Sequence, residues 1–272
     1  MVNGYQPVSL SEALSILSEN KVTIYAGGTD LMVRKNKPST FLFINKIDEI
    51  RNIVEDSEWI RIGAATTFAE VLESELAPNI LKEALRLIAA PAIRNLGTMG
   101  GNIGNGSAKA DSVLIHYVLD AKLRLASVRG ERMVNIDEFY LGRKKLNLAQ
   151  DELIVEILLP KLPKLNYYYQ KVGSREALAI SRIAFAGVFA MEEDKIAKIS
   201  VAFGAVSDTI LRFKEIEAMF IGKTLEEAGK IKTEYLNAYD QAIIPIQGRV
   251  SSEYRKAVCM NLLNYFLEEN KL

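Results

Sequence analysis

The chain has 272 residues, 49% of them apolar, and equal numbers of basic and acidic side chains, 34 each, so it can bury a large core and carries no charge surplus to hold nucleic acid. No apolar run reaches the roughly 18 residues that cross a bilayer, and Met1-Val2-Asn3-Gly4 lacks a basic segment followed by an apolar one, which predicts a cytoplasmic protein without a membrane span. One cysteine, Cys259, and one histidine, His116, exclude an intramolecular disulfide, a four-thiolate iron–sulfur cluster and a Cys/His zinc site, so no metal ligands are predicted on this chain.

Ser9 and Glu12 have capping-box spacing before an apolar run, predicting a helix over 10–19. Ile24-Tyr25-Ala26 then reads as a strand that ends abruptly in Gly27-Gly28-Thr29-Asp30, with a new apolar run from Leu31. Two residues without Cβ let backbone N–H groups approach phosphate oxygens, and a helix starting near Thr29 would add its positive end. An ordinary tight turn is the plainer reading. Lys37-Pro38-Ser39 reads as a turn into a strand at Phe41–Asn45, making residues 1–55 a small βαβ-like unit.

Trp59–Ala64 reads as a strand, and Thr67 with Glu70 as the capping box of a helix through 73. Helical spacing continues over Leu81–Ala90 until Pro91 stops it. Five glycines then fall between Gly97 and Gly106, among Thr98, Asn102, Asn105 and Ser107; this stretch reads as a long exposed loop rather than a core element. Two Gly-Gly sites, each beside a threonine, suit two loops that clamp one diphosphate. Neither the phosphate-loop pattern nor the Rossmann fingerprint is present. Asp111 opens an apolar helix to Leu119, where its carboxylate serves the helix dipole or meets a ribose hydroxyl.

Arg143-Lys144-Lys145 reads as a solvated loop, with partner docking as the other option. Leu153–Leu159 reads as a strand closed by Pro160, and Lys161–Lys164 as a linker, placing a domain boundary near 163. Strands are expected at 166–172, 183–191 and 196–203, with a hairpin turn at 192–195, and helices at 212–220, 224–236 and 251–269. Cys259 lies in an apolar helical context and reads as an inert buried thiol; His116 reads as a core or partner-facing residue before a catalytic base.

Taken together, Ala26-Gly27-Gly28-Thr29-Asp30, then about seventy positions later Ile93-Arg94-Asn95 and Thr98-Met99-Gly100-Gly101-Asn102-Ile103, then Ser107 and Asp111, resemble the FAD-binding medium subunit of the molybdenum hydroxylases. That family includes carbon monoxide dehydrogenase, xanthine dehydrogenase and aldehyde oxidoreductases. Lys171–Arg175, Leu211-Arg212 and Ser251–Arg255 extend the resemblance through the C-terminal half; Ser107-Ala108 departs from the Ser-Pro pair common in the family.

The resemblance implies FAD as the cofactor, with Ile24, Tyr25, Ala26, Gly27, Gly28, Thr29, Asp30 and Leu31 around its diphosphate and Thr98, Met99, Gly100, Gly101 and Asn102 as the second wall. Asp111 is implied on the ribose side, and Ile88, Ile154 and Lys171 as further flavin contacts. No catalytic residue is implied. The implied fold is α+β: a two-part FAD-binding domain of the vanillyl-alcohol-oxidase type, residues 1–55 and 56–163, followed by a smaller α+β C-terminal domain, residues 164–272, with an antiparallel sheet and helices. Tyr167-Tyr168-Tyr169 reads as a strand before it reads as a flavin stack.

The implied role is electron transfer within a dimer of heterotrimers. A large molybdenum subunit oxidises an aldehyde, carbon monoxide or an N-heterocycle, a small subunit with [2Fe-2S] clusters relays the electrons, and this chain passes them to an external acceptor. A stand-alone FAD oxidoreductase and a non-catalytic nucleotide-binding module are the alternatives.

Overall fold

Ser9 accepts a hydrogen bond from the N–H of Glu12 and so starts the first helix where the capping box places it. The computed structural model describes residues 3–33, 40–161, 165–175 and 178–272; the turn read at Lys37–Ser39 and the linker residues Leu162–Lys164, with the boundary near 163, lie outside the described residues. The chain forms two compact units, residues 1–107 with 120–161, and residues 108–119 with 162–272.

In the first unit, β1 (Asn3–Tyr5), α1 (Leu10–Glu19), β2 (Thr23–Tyr25) and β3 (Thr40–Phe43) give a parallel sheet of order β1-β3-β2, with Ile24 opposite Leu42. Ala13 and Leu17 of α1 join Leu42, Ile44, Ile47 and Val155 in one core. The chain continues through β4 (Ile53–Glu55), β5 (Trp59–Gly63), α2 (Phe68–Glu73), α3 (Asn79–Arg86), α4 (Pro91–Arg94) and α5 (Met99–Gly104). Next, α6 (Asp111–Val118) belongs to the second unit. The first unit resumes with β6 (Lys122–Ser127), β7 (Gly130–Asn135), α7 (Ile136–Phe139), β8 (Tyr140–Gly142), β9 (Lys145–Leu146) and β10 (Leu153–Pro160). A five-stranded antiparallel sheet of order β4-β5-β10-β6-β7 results. Its middle strand β10 is a continuous apolar run, Leu153–Leu159, broken only by Glu156, whose buried carboxylate pairs with Arg61 and Arg124 from the strands on either side.

Several expectations for this unit are corrected. Pro91 does not simply stop the preceding helix: α3 ends at Arg86, and Pro91 occupies the first turn of α4, where its missing N–H is harmless. Pro160 does close β10, as its last residue, opposite Trp59. The helix start after Asp30 is a single 3-10 turn, Leu31–Val33. The glycine-rich stretch is no exposed loop. Thr98 caps α5, and Met99, Gly100 and Ile103 are buried, because a helix with glycine at 100 can press so close to Ala64 that a Cβ there would lie 2.5 Å from the Ala64 methyl.

The second unit holds α6, β11 (Asn166–Val172), β12 (Ile183–Glu192), β13 (Lys195–Gly204), β14 (Leu211–Arg212), α8 (Lys214–Glu217), α9 (Leu225–Lys230), α10 (Lys232–Ala242) and α11 (Ser252–Glu269). Its sheet is antiparallel, order β11-β12-β13-β14, with a core of Phe185, Phe203, Phe220, Tyr235, Tyr239 and Phe266. The helix read at 212–220 is shorter, since β14 takes its first residue, and the one read at 224–236 divides at Ile231 into α9 and α10. Of the three tyrosines on β11, Tyr168 packs on Phe185 and Tyr265 on one face, and on the other face Tyr169 is buried while Tyr167, near the start of the strand, is exposed.

His116 is fully buried on α6, with neither ring nitrogen hydrogen-bonded among the described residues; burial pushes its pKa down to about 3, so the ring is neutral near pH 7. Cys259 is buried on α11 and burial pushes its thiol up to about 12, the state of an unreactive core cysteine. No helix among the described residues is long and apolar enough to cross a membrane.

Candidate cofactor-binding site

The parallel pairing of β2 with β3 delivers the chain at Tyr25, whose carbonyl accepts from the Ile44 N–H at 3.1 Å, directly into the glycine turn. Gly28 holds φ at +68°, a conformation glycine adopts freely, and a Cβ there would lie 2.1 Å from the Tyr25 hydroxyl. Tyr25 is itself fixed edge-on to Phe41 and tilted against Phe43. The turn is therefore seated on an aromatic cluster. A Cβ on Gly27 would lie 1.7 Å from the carbonyl oxygen of Leu96, so the first glycine segment and the approach to the second are in backbone-to-backbone contact.

On the other side, the Phe68 N–H donates to the Gly97 carbonyl at 2.9 Å, Met99 to Thr66 at 3.0 Å and Gly100 to Ala64 at 2.8 Å, which ties the start of α5 to the chain following β5. The Thr98 hydroxyl accepts from the N–H of Gly101 at 3.1 Å and caps α5. Gly101 itself is exposed, and a Cβ there would meet only the Thr98 hydroxyl at 2.7 Å and the Ala26 methyl at 3.5 Å.

Between these segments lies a cavity of about 310 Å³, within the usual size of small-molecule clefts. Of the residues predicted to contact a cofactor, Ile24, Ala26, Gly27, Gly28, Thr29, Asp30, Leu31, Thr98, Gly100, Gly101, Asn102 and Ile154 line it. Tyr25 and Met99 are not in the lining: one packs against the turn at Gly28, and the other is the buried first residue of α5. Ile88 is also outside the lining, its carbonyl accepting from Arg94 at 3.1 Å. Asp111 and Lys171 belong to the second unit, where Lys171 Nζ lies 2.8 Å from Asp111 Oδ2 and the Ser181 hydroxyl donates to Asp111 Oδ1 at 2.6 Å.

The lining also includes residues that sequence reasoning omits. Gly97, Gly104 and Asn105 lie in the same glycine-rich run and were there to be read; Phe68, Leu148 and Leu153 come from other elements and carry no motif. Among the described residues Asp30 is the only charged side chain in the lining, and no backbone carbonyl accepts from the N–H of Gly27, Gly28 or Thr29. A surface of backbone donors with apolar walls is of the kind that suits an anionic group through amide hydrogen bonds. A diphosphate fits it. Cβ atoms on the glycines would fill the cradle or displace its walls.

Fold and site thus define a nucleotide-binding α+β protein with a separate antiparallel domain. The sequence profile described as the FAD binding domain in molybdopterin dehydrogenase matches residues 1–162, and that of the CO dehydrogenase flavoprotein C-terminal domain matches residues 167–270. The chain belongs to the FAD-binding medium subunits of the molybdenum hydroxylases. It is 33% identical over 225 residues to the xanthine dehydrogenase FAD-binding subunit of Escherichia coli O157:H7, covering 78% of this chain and 77% of that one. With the glyceraldehyde dehydrogenase medium chain of Sulfolobus acidocaldarius it shares 30% identity over 259 residues, 92% and 91% of the two chains. A chain of reconstituted CO dehydrogenase from Oligotropha carboxidovorans superposes with a TM-score of 0.90 at 26% identity, over 100% of this chain and 98% of that one. FAD is the cofactor of this subunit class, and molybdenum and iron–sulfur centres are carried by other subunits.

Proposed function

We propose that the cavity of the first unit holds the diphosphate of FAD, with Gly27, Gly28 and Thr29 on one wall and Thr98, Gly101 and Asn102 on the other. The observation that carries this reading is the meeting of the two glycine segments around one cavity whose donors are backbone amides. Bound there, FAD supplies the redox chemistry, which the chain's own side chains do not. The residues bind and orient: the amides of the glycine turn take phosphate oxygens, the Thr98 cap fixes α5, and Ile24, Leu153 and Ile154 give the cavity apolar walls. For Ile88, Asp111 and Lys171 a flavin contact rests on the family resemblance alone.

The chain acts as the electron-transfer subunit of a heterotrimer, taking electrons from an iron–sulfur subunit and delivering them to an external acceptor. The substrate, an aldehyde, carbon monoxide or an N-heterocycle, is oxidised on the molybdenum subunit, and the assembly is a cytoplasmic dimer of heterotrimers. The single buried cysteine supports the division of labour, because this chain cannot build its own iron–sulfur relay. Affinity purification of the tagged chain from its native cells tests the reading: it should bring down a cysteine-rich chain and a molybdenum-bearing chain in equal amounts. The isolated chain should bind FAD yet oxidise no aldehyde or purine. Substrate turnover by the isolated chain contradicts the subunit role.

A further inference from the structure

The basic run Arg143-Lys144-Lys145 is the tip of the β8–β9 hairpin, and that hairpin reaches the glycine helix α5 at several points. The buried hydroxyl of Tyr140 donates to the carbonyl of Ile103 at 2.9 Å. Lys144 Nζ donates to the carbonyl of Asn105 at 2.6 Å. A Cβ on Gly106, where φ is +63°, would lie 3.2 Å from Lys144 Cα, so the hairpin tip rests directly on the chain leaving α5. Lys144 makes its contact from a left-handed backbone, φ 59°, which a residue with a Cβ adopts only when its surroundings hold it there.

These contacts matter because α5 is poorly suited to hold itself. It has six residues, and the glycines among them, Gly100, Gly101 and Gly104, each favour the unfolded chain. Its start is held by Thr98 and the backbone bonds to Ala64 and Thr66. At its end the Ile103 carbonyl accepts from the Gly106 N–H at 3.0 Å, and Tyr140 adds a second donor there while Lys144 donates to the Asn105 carbonyl. Asn105 lines the cavity, as does Leu148 just beyond the hairpin.

We propose that the hairpin Tyr140–Leu146 braces the C-terminal end of α5, and that Tyr140 and Lys144 are positioning residues for the wall formed by Gly101, Asn102 and Asn105. The inference rests on the diphosphate reading of the cavity given above.

The test uses the full-length chain freed of flavin, as wild type, Tyr140→Phe, Lys144→Met and Lys144→Arg, titrated separately with FAD and with ADP. Loss of one bracing bond should weaken FAD and ADP by the same factor, about three- to tenfold, in Tyr140→Phe and Lys144→Met. Lys144→Arg should restore both affinities, and the melting temperature of the ligand-free chain should move by no more than about 3 °C. Unchanged affinities in the variants overturn the brace, as does a loss for FAD that spares ADP, or a loss that only tracks a fall in melting temperature. A wild-type chain that binds neither FAD nor ADP overturns the diphosphate reading first, and the brace with it.

Discussion

Gly27 and Leu96 stand so close that a Cβ on Gly27 would lie 1.7 Å from the Leu96 carbonyl oxygen. This contact makes the two glycine segments, about seventy residues apart in the chain, a single surface. Glycine at 27 is therefore a packing requirement before it is a binding one. Gly27→Ala is expected to destabilise the first unit itself, and Gly28→Val to add both a left-handed backbone strain and a collision with Tyr25. Thermal unfolding of the ligand-free variants measures this; an unchanged melting temperature for Gly27→Ala contradicts it.

Gly101 separates binding from folding. A methyl group there displaces the Thr98 hydroxyl, a cap whose loss costs about 1 kcal/mol, while replacing glycine by alanine within a helix returns roughly 0.5–1 kcal/mol. Gly101→Ala should thus keep its melting temperature within a few degrees and lose flavin, because the methyl projects from an exposed position in the cavity wall. Stoichiometric FAD retained by a folded Gly101→Ala variant argues against the clamp.

The Asp111–Lys171 pair is nine-tenths buried or more on both sides, with side-chain exposures of 5% and 10%. Lys171→Met leaves the Asp111 carboxylate without its cation, accepting from the Ser181 hydroxyl at 2.6 Å, and breaking a buried pair in this way costs about 3–5 kcal/mol. Adding Asp111→Asn should recover much of that loss, since no buried charge is then stranded. Urea unfolding of the single and double variants checks it; equal destabilisation by the single and double variants contradicts the prediction.

His116 gives the chain a specific acid lability. Its folded pKa, about 3, lies below the ordinary 6.5, so between those values the unfolded state binds a proton that the folded state does not. Well above pH 6.5 the ring is neutral in both states and contributes no pH dependence. As pH falls below 6.5 toward 3, this group alone lowers stability progressively. His116→Leu should flatten the decline of the urea midpoint over that window, with little change in its pH dependence at neutral pH.

Cys259 should resist thiol reagents in the folded chain and react only on unfolding, because the buried thiol is held near 12 and the thiolate is the reactive form. Rapid stoichiometric modification at pH 8 without loss of structure contradicts its burial.

What the sequence makes legible follows from local physics. Ser9 and Thr67 announce helix starts because their hydroxyls accept amides within one turn. The run Leu153–Leu159 is a strand because a strand covered on both faces needs no alternation. The two glycine segments are visible because glycine is chosen where backbone must come close. What stays hidden is set by distant partners. A six-residue helix containing Gly100, Gly101 and Gly104 violates propensity, and besides the local Thr98 cap its bonds go to Ala64, Thr66, Tyr140 and Lys144, residues that no local pattern ties to it. Phe68 and Leu148 line the cavity for reasons of topology, and Asp111 meets Lys171 across 60 residues with no pattern to mark it.

Equilibrium titration of the purified, flavin-free, full-length chain with FAD tests the central claim most directly. The two-walled diphosphate cavity predicts saturation at one FAD per chain, with ADP competing for the same site and Gly101→Ala abolishing both. No saturable FAD binding by a folded chain, or binding that ADP and Gly101→Ala leave untouched, would contradict it.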